Sequence, residues 1–417
     1  MAPHRHSTHP YSRALDNMGV TAAAPAPTTA LGPDSSEEHE TKYPSIIQGG
    51  MGAGVSGWRL AAAVARTGQM GVVSGTALNL ILARRLQDGD PGGHMRRALA
   101  HFPVPEIADR IEERYFISGG KSFGAPYRLV PRFNIKPNQS QLELTVAANF
   151  AEVWLAKEGH DGPIGINLLE KIQIPNIASL YGAMLADVDY VLMGAEIPRE
   201  IPGVLDRLAR HEEASLRIQV AETTEKEPVQ TQFDPRTLIP QDHPPLKRPE
   251  FLAVVSSVTL AMTLVKKSTG KVNGFIVERP VAGGHNAPPR GALQLQENGE
   301  PLYGAKDTVD LSRVRDLGLP FWVAGSCADP DVLREMQALG AEGIQAGTLF
   351  AFCEESGLTE EIKREVCQKT MQGEARVFTD PKASPTRFPF KVVQLEGSIS
   401  EKEMYEARPR ICDMGCL

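Results

Sequence analysis

Long apolar runs are missing from this chain. No stretch approaches the roughly 18–20 consecutive apolar residues that a membrane-spanning helix needs. The opening segment, MAPHRHSTHPYSRALDNMGVTAAAPAPTTALGPDSSEEHETK, has no apolar core of the kind a secretory signal carries. Excess basic charge is missing too. The 44 Lys and Arg against 51 Asp and Glu leave a formal charge of −7, the wrong sign for a protein that grips nucleic acid through its phosphates. Cysteine is scarce and unpatterned. Cys327, Cys353, Cys367, Cys412 and Cys416 form no C-x-x-C pair, and their odd number cannot complete a disulfide framework. Cys412 and Cys416 lack the second pair or nearby histidine of a zinc site, so no metal is expected. A reducing, cytoplasmic setting fits that usage. HExxH and GxxxxGK[ST] are absent, which removes the usual support for zincins and P-loop enzymes. With 41% hydrophobic and 23% charged residues, the composition is that of an ordinary globular protein. A small-molecule enzyme is the default, with neither nucleic acid nor membrane as partner.

What is present is a rhythm. From Tyr43 onward, short apolar runs alternate with glycine-bearing loops and helix-patterned segments. The runs are SIIQGG (45–50), MGVVSG (70–75), PIGINLL (163–169), DYVLMGA (189–195), FLAVVSS (251–257), GFIVERP (274–280), PFWVAGS (320–326) and EGIQAGTLF (342–350). Continuous rather than alternating apolar character indicates strands covered on both faces, as in parallel sheets. The intervening segments read as helices. In DPDVLREMQALG (329–340), Asp329 suits an N-cap, Pro330 the first helical position and Gly340 the stop. Eight such units predict a (β/α)₈ TIM barrel with its site at the C-terminal ends of the strands. A doubly wound open sheet is the competing architecture. Two insertions break the period, at about 76–141 after the second strand and 214–250 after the fourth. Both are expected to shape or cover the barrel mouth, and ASLRIQV (214–220) reads as one arm of a hairpin. Residues 1–42, rich in Ala, Pro, Ser and Thr, read as a disordered tail, 43–370 as the barrel and 371–417 as a C-terminal extension.

The loops carry the chemistry. QGGMGAG after the first strand offers Gly49, Gly50 and Gly52 for close main-chain approach to a flat ligand, and Met51 to pack on a ring. A tight turn with a buried Met is the bland alternative. The dinucleotide signature also needs an acidic residue at the end of a second strand about 20 residues on, and the second run, MGVVSG, has none. Barrels that bind phosphate do so with the loops after the seventh and eighth strands. Here those loops hold Gly325 and Ser326, then Gly347 and Thr348, beside Gly283 and Gly284 after the sixth. Small residues in phase on three adjacent strands point to a phosphate-bearing cofactor. Asn167 and Gln48 can meet a heteroaromatic edge or simply cap backbone. Glu278 can orient His285, or pair at the surface with Arg279 or Arg290, the commoner fate. His94 and His160 read as structural.

PSIIQGGMGAG, IGINLL, AGGH, WVAGS and GIQAGTLF, taken together, resemble the nitronate monooxygenase family (formerly 2-nitropropane dioxygenases) over about residues 43 to 365. These are FMN-dependent barrels related to a flavin enoyl reductase of fatty-acid synthesis. The resemblance implies that Gly283, Gly284, Gly325, Gly347 and Thr348 surround the FMN phosphate. It implies that Gly50, Met51 and Asn167 contact the isoalloxazine and that His285 is the catalytic histidine. The implied reaction is oxidation of an alkyl nitronate with O₂. The reductase relatives take hydride from NAD(P)H and act on enoyl thioesters or quinones. The chain departs from the pattern at Gly-Gly-Met, where many members carry Ala-Pro-Met. It also departs at AGSC, where Gly-Gly-Ile is usual, and at Val281, where an acidic residue is commoner. Those departures leave the substrate open. A homo-oligomer, a non-catalytic barrel docked in a biosynthetic assembly and a flavin-free phosphosugar barrel stand as further expectations to test.

Overall fold

The eight apolar runs form one parallel sheet, as their two-sided apolar character requires. The computed structural model describes residues 43–194, 196–218, 229–240, 242–383 and 388–408. The tail expected over residues 1–42, and Cys412 and Cys416, lie outside them. The strands in chain order are β1 (Ile46–Gln48), β2 (Gly71–Ser74), β3 (Ile164–Leu169), β4 (Tyr190–Gly194), β5 (Ala214–Arg217), β6 (Gln230–Phe233), β7 (Glu250–Val255), β8 (Gly274–Glu278), β9 (Phe321–Ala324), β10 (Gly343–Ala346), β11 (Val377–Asp380) and β12 (Phe390–Val393). The large sheet runs β1-β10-β9-β8-β7-β4-β3-β2. It closes where Ile47 bridges Met70, with the Gln48 N–H donating to the Met70 carbonyl at 2.9 Å and the Met70 N–H to that of Ile46 at 3.0 Å. The result is a TIM barrel.

The period of two along each strand sorts the side chains. Ile47, Val72, Leu192, Leu252, Ile276 and Trp322 point inward and plug the barrel. Phe251, Phe275, Val277, Phe321 and Val323 point outward into the shell packed under the helices. Gln48 is buried, and it resolves the sequence ambiguity on the structural side. Its Oε1 accepts from the Val72 N–H at 2.9 Å, and its Nε2 donates to Ser56 Oγ at 3.0 Å and to the Gly49 carbonyl. That clip stitches the closing seam and leaves nothing for a ligand. Helix Pro330–Ala338 begins as its sequence predicts, with the Asp329 carboxylate accepting from the Asp331 N–H at 2.8 Å.

The helices of the segment after β2, Leu78–Gln87, His94–Leu99 and Pro105–Tyr115, pack on helix Gln139–Lys157 as outer wall. That helix is buried along most of its length, packed against helices Trp58–Ala65 and Asn176–Leu185. The buried Glu152 fixes that placement by accepting from the Trp58 N–H at 2.9 Å and from Arg85 Nη1 at 2.6 Å. The segment after β4 includes the antiparallel hairpin β5–β6, which lies on helices Asn176–Leu185 and Ile201–Leu208. A third excursion follows β8 and runs to helix Leu311–Arg315, and the C-terminal extension forms a second hairpin, β11–β12. These two are joined: the Thr379 N–H donates to Glu300 Oε1 at 2.6 Å. No helix among the described residues is long and apolar enough to cross a membrane.

Candidate active site

Carried past the apolar plug, the same alternation puts polar groups at the mouth. Phe275 and Val277 face the shell and Ile276 the interior, so Glu278 at the end of β8 is turned inward. Ile164 and Ile166 face the shell, which turns Asn167 inward on β3. Ile344 faces the shell, which turns Gln345 inward on β10. The Gln345 Oε1 is buried with no hydrogen-bond partner among the described residues, a costly state for an amide unless something else meets it. Sequence reading missed Gln345, although the strand period alone would have found it.

Around this floor the glycine loops meet. A Cβ on Gly50 would lie 2.4 Å from the Asn167 Cβ, so only glycine lets the loop after β1 rest on that side chain. Ser56 Oγ holds the Met51 N–H at 2.9 Å. Met51 Sδ in turn lies 3.6 Å from where a Gly347 Cβ would stand. The Gly283 Cβ position is 3.2 Å from Thr348 Oγ1, which joins the loops after β8 and β10. Gly325 bends back against Ala282 with φ +109°, and Ser326 beside it takes the left-handed region at φ 48°. Among the described residues, the backbone N–H groups of Gly283, Gly284, Ser326, Gly347 and Thr348 have no acceptor. Unpaired N–H groups clustered on neighbouring glycine loops make an anion-binding concavity. With the orphaned Gln345 oxygen and the polar floor beside it, this cradle fits a phosphate-bearing heteroaromatic cofactor such as FMN.

His285 sits at the edge of that cradle under a strap from the C-terminal extension. The Lys391 N–H donates to the Gly284 carbonyl at 3.0 Å, and the Asn286 N–H to that of Pro389 at 2.9 Å. The Phe390 ring lies edge-on to the imidazole, 4.8 Å between centroids. Burial, with Lys171 nearby, lowers the His285 pKa below its ordinary value near 6.5. Lys171 comes from the loop after β3, 2.9 Å above the Phe388 ring and 3.9 Å from Glu196. Burial lowers its pKa as well. No local pattern marked Lys171 or the strap, because only the fold brings them to the histidine. Phe390→Ala should open this contact and return the imidazole toward its ordinary pKa, an upward shift readable by proton NMR titration. An unmoved pKa would mean that the ring does not shelter the histidine.

The other histidines hold structure. His94 Nδ1 lies 3.1 Å from Arg97 Nη2, and its ring packs on Trp58 at 4.9 Å. His160 Nε2 is 2.7 Å from the Ala156 carbonyl, and its Nδ1 accepts from the Gly162 N–H at 3.1 Å, which locks a turn. Among the described residues no cluster of His, Cys, Asp or Glu could hold a metal ion.

No family model matches the chain, and no curated protein matches it either. Solved structures do. FabK from Thermotoga maritima is 17% identical, with 84% of this chain and 71% of that one covered at a TM-score of 0.46. A nitroalkane oxidase from Streptomyces ansochromogenes is 16% identical over 84% of this chain and 76% of its own, TM-score 0.46. The enoyl reductase domain of MlnA from the macrolactin biosynthesis cluster of Bacillus amyloliquefaciens is 12% identical over 88% and 67%, TM-score 0.44. At such identities and scores the likenesses carry no functional weight; the barrel stands on its own strand ladders.

Proposed function

We propose that this chain is an FMN-dependent oxidoreductase of the nitronate monooxygenase type. The unpaired N–H groups of Gly283, Gly284, Ser326, Gly347 and Thr348 support the reading, gathered at one rim beside an inward-facing polar floor. In this reading those groups and Gly325 hold the FMN phosphate, while Gly50, Met51 and Asn167 lie along the isoalloxazine. FMN, when bound, supplies the electron-accepting chemistry. The chain supplies position and proton handling. His285, kept neutral by its surroundings, takes or returns a proton at the substrate carbon next to the nitro group. Phe390 keeps water from one edge of the imidazole.

One observation favours a second reading. Ile172, Ile197, Val281 and Leu349 are exposed beyond the ends of β3, β4, β8 and β10, an apolar rim suited to an acyl chain. That would fit an NAD(P)H-dependent reductase of enoyl thioesters or quinones. The deciding experiment is the visible spectrum of the purified protein, with any pigment released by heat and identified. Bound FMN bleached anaerobically by ethyl nitronate supports the first reading; bleaching by NADPH alone supports the second. A protein that stays colourless after incubation with FMN overturns both and favours a docking or phosphosugar barrel.

A further inference from the structure

Glu278 ends β8 with its side chain turned into the barrel and nothing to pair with. No hydrogen bond or ion pair reaches its carboxyl among the described residues. It borders a small chamber of about 40 Å³, whose other walls include Ser256, Pro280, Pro288, Arg290 and Tyr303. The third excursion makes the far wall, in the residues directly after His285.

Its polar neighbours are engaged elsewhere. Arg279 donates from Nε to the Gly325 carbonyl at 3.0 Å, and its Nη2 lies 3.0 Å from Cys327 Sγ. Arg290 Nη2 donates to the Ser256 carbonyl at 2.9 Å. The Asp307 carboxylate accepts from the N–H groups of Arg290 at 2.9 Å and Gly304 at 2.8 Å. The Tyr303 hydroxyl donates to the Ala287 carbonyl at 3.1 Å. Two arginines flank the acid and neither neutralises it. The expected salt bridge to Arg279 or Arg290 therefore does not form, nor does Glu278 orient His285.

We infer that this chamber is a substrate-oxygen subsite, in which Glu278 meets an acceptor oxygen of a nitro, nitronate or carbonyl group while His285 serves the adjoining carbon. The inference rests on the proposed flavoenzyme reading for its substrate. The chamber has room for a water molecule or the polar end of a small ligand, not for a ring. Burial without a countercharge pushes the Glu278 carboxyl up to about 8, so near pH 7 it enters as an O–H donor. Tyr303, pushed up to about 12 by burial with Asp307 and Glu278 adding to it, stays neutral across the same range. A neutral acid welcomes an anionic nitronate oxygen that a carboxylate would repel.

The sign of the linkage follows. Glu278 ionises in the unfolded chain in the ordinary carboxylate range but stays protonated when folded until about pH 8. Its burial therefore erodes stability as pH rises between those limits. Glu278→Gln should remove that slope and raise the melting temperature above neutral pH.

The test is infrared difference spectroscopy across the pH range, on the protein as purified. A protonated-carboxyl band should titrate near pH 8, vanish in Glu278→Gln and shift with nitroethane. A Glu278 band titrating in the ordinary carboxylate range, or one untouched by nitroethane, overturns the inference. Kinetics supply a second arm. Glu278→Ala should raise KM for ethyl nitronate at least tenfold with FMN retained, while Glu278→Gln, which keeps a donor, should lose less. Equal losses in the two variants, or an unchanged KM, also overturn it. Flavin content, read from the visible spectrum of the same samples, separates this failure from failure of the flavoenzyme reading, because the infrared arm needs no flavin.

Discussion

Replacing His285 with Asn should leave FMN bound and cut kcat/KM for a nitroalkane by roughly 10²–10⁴, the range a positioned acid–base group contributes. Asn preserves size and polarity, so Phe390 and the backbone pairing of Gly284 and Asn286 to the strap have little reason to move. The pH profile gives the sharper signature. Burial first, and then the Lys171 charge, hold the imidazole pKa below about 6.5. The neutral, proton-accepting form therefore persists through neutral pH and is lost as pH falls through that lowered pKa. The acid limb of kcat/KM should lie below pH 6.5 and disappear in the variant. Lys171→Met, which removes a cation, should move the limb upward. Stopped-flow reduction of the bound flavin across pH measures both. A limb that survives in His285→Asn would assign the proton to another group.

The barrel was legible because its strands are buried on both faces, and runs such as FLAVV and GFIVE can be nothing else at that length. Asp329, Pro330 and Gly340 punctuate their helix as local chemistry dictates. The arm ASLR was legible as half of a hairpin, since Ala214 and Leu216 are buried while Ser215 and Arg217 are exposed. The cradle was half legible. Gly283, Gly347 and Thr348 announced themselves as small residues at strand ends, whereas Gln345 and the inward turn of Glu278 needed the strand period carried to its last residue. Arg279 and Arg290 flanking Glu278 suggested a surface ion pair. Chain folding instead turned both guanidinium groups onto main-chain carbonyls. The strap was not legible at all. Phe390 reaches His285 across more than a hundred positions, and a contact of that kind has no local pattern to betray it.

Gly325→Val should strip FMN from the protein while leaving the barrel folded. Its φ of +109° is a region that β-branched residues scarcely enter, at a cost of order 1–3 kcal/mol. The added Cβ would also sit 2.9 Å from the Ala282 nitrogen and 3.2 Å from the Arg279 Cβ. Neither neighbour can yield freely. Ala282 is tied to the Arg279 carbonyl at 2.9 Å, and Arg279 is tied back to the Gly325 carbonyl itself. The strain must then move the loops after β8 and β9 apart, which breaks the cradle between Gly283 and Ser326. Each charge-assisted hydrogen bond lost to a phosphate is worth roughly 1.5–3 kcal/mol, so FMN affinity should fall about ten- to a hundredfold or more. Gly284→Ala is the matched control. It shares a positive φ of +77° but has nothing within 4 Å of the added carbon, so it carries only the roughly 1–2 kcal/mol of left-handed strain and keeps its N–H. Fluorescence titration of FMN into the apo forms, with melting temperatures alongside, distinguishes them. Should both variants lose FMN equally, backbone conformation after β8 would govern binding; should Gly325→Val bind as well as the parent, the phosphate would have to sit elsewhere on the rim.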